Sequence, residues 1–202
     1  MEIQFDNTGL SQIYAADQAV TLTRQVDRAV DAVAAQPAIA WQAFAPLQMN
    51  TVSWTDQYFC FATTTPLVMG AVIKMNAQYA SPMQIGSVYQ FTDGQFVVHQ
   101  QSGTSYVVAN AMPSGCYALG LAQYATINSV SMLAPCCAVP VLSNETAYFN
   151  PGNLIAIFLS SSASGGTVIP PPTNALNVVV KPGDTATTIA FNDQTNMFYA
   201  IS

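Results

Sequence analysis

From Val52 onward, apolar and polar positions alternate in short runs rich in Val, Ile, Thr, Tyr and Phe, and turn residues recur about every eight to twelve positions. That texture belongs to half-buried strands. It predicts strands near 52–63, 67–77, 86–92, 95–101, 105–111, 116–127, 130–142, 146–149, 153–160, 175–181, 185–191 and 196–201. Before this region the spacing changes. Ile13, Ala16, Ala19, Leu22, Val26, Ala29, Val30 and Val33 recur by threes and fours, which predicts one long amphipathic helix over about 9–36. Asn7 or Thr8 would cap it, and Pro37 would end it. On this reading Arg24, Asp27, Arg28 and Asp31 form a solvated face, paired Arg24 with Asp27 and Arg28 with Asp31. Ala38 to Ala45 reads as a second short helix carrying Trp41 and Phe44.

Turn chemistry sharpens parts of this outline. Asp93-Gly94 between two alternating runs predicts a two-residue hairpin. Pro182-Gly183 predicts a turn joining 178–180 to 187–189, which makes residues 175–202 a hairpin with a further strand. Residues 160–174 combine a serine run, Gly165-Gly166 and Pro170-Pro171-Pro172, a long loop that crosses the structure or acts as a linker to an exchangeable C-terminal arm. The expected whole is a single α+β domain spanning 1–202, mostly β. An antiparallel sandwich or barrel (about 52–160) has the long N-terminal helix packed on it.

Composition narrows the chemistry. The chain has 202 residues, with four basic and ten acidic side chains and a net charge of −6. So few cations exclude a nucleic-acid partner, because that affinity comes from Lys and Arg. The apolar fraction is 51%, yet no apolar run approaches the roughly 20 residues of a spanning helix. The opening Met1 to Asp6 lacks a basic flank and an apolar stretch, so a secretory leader is not expected, and a cytoplasmic or leaderless released protein is. Cys60, Cys116, Cys136 and Cys137 are accordingly expected to be reduced and to serve as small core residues.

Catalytic constellations are scarce. His99 is the sole histidine and lies in an alternating strand, so it reads as a sheet residue. There is no Gly-x-Ser-x-Gly elbow. Neighbouring Cys136 and Cys137 would point to opposite faces of a strand and not share an ion. Asp93, Asp184 and Asp193 occupy expected turns, and only Asp56 and Glu145 lie beside strands. Gly165-Gly166 lacks the lysine and setting of a phosphate loop. Asn144-Glu145-Thr146 matches a glycosylation acceptor that, without export, would stay unmodified. No metal or nucleotide cofactor is expected.

What remains is aromatic and neutral: Trp54, Tyr58, Tyr79, Tyr89, Tyr106, Tyr117, Tyr124 and Tyr148 amid many Gln, Asn, Ser and Thr. Such surfaces bind by stacking and uncharged hydrogen bonds. The expected role is non-enzymatic binding of a neutral ligand, a carbohydrate, lipid or aromatic molecule such as a pigment, with Trp54, Tyr58, Tyr89 and Tyr106 as contacts. The texture is similar to that of abundant cytosolic fruiting-body proteins, including lectins and a pigment carrier. Two alternatives accompany this. A helix covering a weakly charged sheet resembles the arrangement of cytolytic delta-endotoxins and their mushroom counterparts, which implies a membrane partner. Low charge and an exchange arm also suit a self-associating structural subunit.

Overall fold

The computed structural model describes residues 1–30, 37–161, 163–181, 183 and 186–201. In chain order these residues form β1 (Glu2–Gln4), α1 (Asn7–Ala15), β2 (Ala19–Val30), β3 (Ala38–Ile39), β4 (Gln42–Phe44), β5 (Met49–Thr63), β6 (Ala77–Gln78), β7 (Ser87–Thr92) and β8 (Gln95–Gln100). There follow β9 (Tyr106–Asn110), β10 (Tyr117–Ile127), β11 (Val130–Val141), β12 (Thr146–Ser160), β13 (Val168–Ile169), β14 (Leu176–Val179), β15 (Thr188–Asn192) and β16 (Met197–Ile201). Among the described residues the protein is mostly β, 57% strand and 5% helix, with a curled sheet that forms a half-barrel.

The long N-terminal helix is not there. α1 spans nine residues, capped by Asp6, whose carboxylate accepts from the Gly9 amide at 2.6 Å, and not by Asn7 or Thr8. Asp17, with φ of 50°, turns the chain out of the helix. The β-branched run that follows, Val20-Thr21 and Thr23, then extends as β2, hydrogen-bonded to both β12 and β4. Spacing by four suits a helix, but it also suits a strand, whose period of two returns every fourth residue to the same face. Val20, Leu22, Arg24 and Val26 are therefore all buried. The expected Arg24–Asp27 pair does not form, since strand neighbours at odd spacing face opposite ways. Residues 31–36 of the expected helix, with Asp31, lie outside the described residues. The likeness to cytolytic delta-endotoxins rested on that helix and lapses with it. The second short helix is replaced by β3 and β4.

One seven-stranded sheet runs β11-β10-β5-β1-β15-β16 with β6 beside β5; another runs β4-β2-β12-β9-β7-β8 with β14 beside β12. They are not wholly antiparallel, because β1 pairs with β15 and β7 with β9 in parallel. One apolar cluster joins inner residues of both sheets, including Ile3, Leu22, Trp41, Leu121, Phe149 and Ile189. A smaller cluster of Ile39, Phe61, Ile73, Ala122 and Val168 covers the opposite face of β5, β10 and β11. Burial on both faces explains the near-continuous apolar run of β10.

The Asp93-Gly94 hairpin forms between β7 and β8, with φ of 49° and 78° at its two central residues. Pro182-Gly183 does not close a hairpin: β14 pairs with β12, while β15 pairs with β1 and β16. Pro182 itself lies outside the described residues. The 160–174 stretch is no linker, since β13 pairs with β3 across it. Nor is 67–77 one strand: Val72 makes an isolated bridge to Thr167, and only the last residue of that range, Ala77, enters a strand, β6. No helix is long and apolar enough to cross a membrane among the described residues.

Gly120 is the tightest backbone contact on the doubly covered sheet. A Cβ at that position would sit 2.1 Å from the Cys137 carbonyl oxygen and 2.7 Å from the Phe61 ring. Gly120→Ala is expected to cost about 1–3 kcal/mol through overpacking. Gly103→Ala, where nothing lies within 4 Å, is expected to be close to neutral in the same urea titrations.

Candidate functional site

Two irregularities in the strands bring the expected aromatic residues and an unexpected cation together. In β5, Gln123 of β10 faces Tyr58 while Ala125 faces Trp54, so Thr55, Asp56 and Gln57 bulge opposite Tyr124 alone. In β12, Gly152 to Leu154 bulge opposite Gln25 of β2. Bulges of this kind redirect side chains and backbone groups. The first carries the Asp56 carboxylate to the surface, and the second turns the Gly152 carbonyl inward.

Arg24 occupies the space between them, its side chain fully buried. Its Cζ lies 5.4 Å from the Trp41 ring centroid and 5.5 Å from that of Trp54. The two indoles meet edge to face at 5.6 Å and 87°. Arg24 Nη2 donates to the Tyr58 hydroxyl and to the Gly152 carbonyl, each at 2.9 Å. Tyr58 in turn donates to Asp56 at 3.4 Å, and Asp56 lies 4.0 Å from Arg24. Arg24 Nε and Nη1 make no hydrogen bond. The indole faces therefore supply much of what offsets desolvation, about 2 kcal/mol or more for a desolvated cation–π contact.

Burial pushes the Tyr58 hydroxyl far above its ordinary range, although the Arg24 charge opposes the shift. Burial likewise raises Tyr89, Tyr106 and Cys60. Tyr58 and Tyr106 pack at 5.3 Å with ring planes 57° apart. With Asp56, Ile85, Thr104, Asn150 and Pro151 they line a hollow of about 220 Å³. Of the four expected contact residues, only Tyr58 and Tyr106 line this hollow. Trp54 is buried against Arg24. Tyr89 is buried against Tyr79 at 5.1 Å, its hydroxyl accepting from the Gln84 amide.

A larger cleft, about 770 Å³, lies elsewhere. Gln12 and Ile13 of α1, Ala16 at its C-cap, Gln18, Phe158 to Ser160 of β12, Ile169 to Asn174 and Asn196 line it. The Pro170–Pro172 strap forms one wall and α1 another. None of the lining side chains is ionisable.

The remaining chemical candidates are kept apart. His99 is exposed on β8, bonded to Gln90 at 2.9 Å. The Glu145 carboxylate accepts from the Leu142 amide in a turn. Cys136 and Cys137 both enter the main core cluster, against the expectation of opposite faces. The reason is a bulge: Leu121 faces Cys137 while Ala122 faces Pro135, leaving Cys136 as the extra residue. Its thiol donates to the Leu121 carbonyl, and burial holds it protonated. No group of three metal-ligating side chains occurs among the described residues. Cys116 is exposed, so it is not the core residue expected.

No protein-family model, curated protein or solved structure matches the chain.

Arg24 is the residue that sequence reasoning placed on the wrong side, and its β-branched neighbours were the available signal. Arg24→Ala is expected to lower unfolding free energy by about 3 kcal/mol or more and to red-shift tryptophan emission as water reaches Trp41 and Trp54. Arg24→Met, which restores the apolar stem, is expected to recover part of that stability.

Cys60, Tyr58, Tyr89 and Tyr106 all have folded-state values raised above those of the unfolded chain. Their contribution is thus fully present below the unfolded values and drains away as pH rises past them. Stability to urea is expected to be unaffected by these groups below roughly pH 8.5, then to fall as the unfolded thiol and, near pH 10, the unfolded phenols ionise.

Proposed function

We propose that the protein is a non-enzymatic binding protein for an uncharged ligand, held in the cleft between α1 and the Pro170–Pro172 strap. The observation that carries this reading is the lining: amides from Gln12, Gln18, Asn174 and Asn196, hydroxyls from Ser160 and Thr173, apolar surface from Phe158, Leu159, Ile169 and the prolines, and no ionisable group. The volume falls within the roughly 300–1,000 Å³ of small-molecule sites. Uncharged hydrogen bonds beside apolar surface suit a carbohydrate, a lipid or an aromatic molecule, and they provide neither an acid nor a base to drive a reaction.

Absorption and intact-mass measurement on protein from its native source would reveal a retained ligand. An array of neutral glycans together with a panel of neutral lipids and dyes would identify an exchangeable one. Binding is expected to change little between about 0.05 and 0.5 M salt, because no charge pair is screened. Ala16→Trp, which fills the cleft from the exposed C-cap position of α1, is expected to abolish binding at unchanged thermal stability. A tenfold loss of affinity with salt, or full binding by Ala16→Trp, would count against this site.

A second reading, a self-associating structural subunit, is favoured by β16. It is an edge strand whose outward residues Met197, Tyr199 and Ile201 are exposed, and Met197–Ile201 contains no charge or proline to block pairing. Sedimentation is expected to show concentration-dependent assembly that Tyr199→Lys prevents.

A further inference from the structure

We propose that the hollow beneath Asp56, separate from the large cleft, is a second binding site, and that it takes a methylated ammonium group. Tyr58 and Tyr106, their rings tilted by 57° with centroids 5.3 Å apart, line the hollow together with the Asp56 carboxylate. Ring faces and a carboxylate are the two features that attract an organic cation. No basic side chain lines the hollow.

Asp56 is available for this. Its side chain is 53% exposed, and its contacts with Arg24 at 4.0 Å and with Tyr58 at 3.4 Å both fall on Oδ1. Arg24 lies one layer deeper. It is not in the lining, and its hydrogen bond to Tyr58 places it behind that side chain. The carboxylate is thus the first charge an entering cation meets, and the guanidinium acts to hold Tyr58 in position.

Size and hydrogen bonding select the group. At about 220 Å³ the hollow is below the roughly 300 Å³ at which sites for whole drug-sized ligands begin, so it admits a headgroup. The Tyr58 hydroxyl is already used, accepting from Arg24 and donating to Asp56. Thr104 and Asn150 are exposed at the edge. A bare ammonium would leave N–H donors facing ring carbon, which is costly; methyl groups need no acceptor. The chemistry is shared by a free quaternary amine and by a choline lipid headgroup.

The test is a choline titration followed by the NMR signals or fluorescence of Tyr58 and Tyr106, alongside 3,3-dimethyl-1-butanol, the uncharged isostere of choline. Choline is expected to bind at least tenfold more tightly than the isostere. Asp56→Asn, at an exposed position, is expected to remove that preference, and Tyr106→Leu, which keeps apolar bulk, to weaken choline several-fold, both in protein whose thermal melts remain cooperative. Phosphatidylcholine vesicles that bind and are displaced by choline would identify the lipid as the source; binding of free choline alone would identify a soluble amine. Equal affinity for choline and its isostere, unchanged selectivity in Asp56→Asn, or saturable binding by neither choline nor the vesicles would overturn the proposal. Because Ala16→Trp acts at the other cleft, it is expected to leave choline binding intact.

Discussion

A guanidinium packed against two indole rings sets how β2, β5 and β12 must meet. Removing Arg24 from water costs several kcal/mol, and the surroundings must return that through the Trp41 and Trp54 faces and two hydrogen bonds from Nη2. Those partners come from β5, β12 and the segment before β4, so the arrangement is complete only when both sheets are assembled. It also requires two bulges. Without the extra residues in β5, Asp56 would not stand beside Tyr58; without those in β12, the Gly152 carbonyl would not face Arg24. The polar centre and the irregular strands are therefore one feature.

Around that centre the packing divides the molecule's surface by kind. Away from the β5 bulge, the sheet of β5, β10 and β11 is covered on both faces, which requires glycine at position 120. The recesses occur where coverage stops: at the ends of α1 and the proline strap, and at the bulged segments of β5 and β12. The first recess is wholly neutral and the second carries a lone carboxylate. This difference follows from how few charges the chain has and where the bulges place them.

Much of the β outline was legible because turn chemistry and period-two alternation are local. Asp93-Gly94 specifies positive backbone angles by itself, and the strands flanking it followed. The Ala19–Val30 segment was not legible from spacing, because Leu22, Val26 and Val30 satisfy both a helical face and a strand face. What decided it was pairing with β12, more than a hundred residues away, aided by Val and Thr preferences that the helical pattern obscured. The same error hid Arg24, which a helix sends to solvent and a strand sends inward. Tyr58 and Tyr106 were identifiable as aromatic candidates, but the burial of Tyr89 and Trp54, and the bulge that turns Cys136 into the core, depend on register between strands. Register is a property of pairs that no single segment reveals.

β1 occupies the middle of its sheet, with three residues paired to β5 on one side and to β15 on the other. Among the described residues, β15 and β16 join the sheet only through that short strand. A chain in which β15 has not yet docked consequently displays one open edge of β1. Loop closure over such a separation is slow, so the folding stage before β15 reaches β1 is when this chain is most exposed to mispairing with other chains.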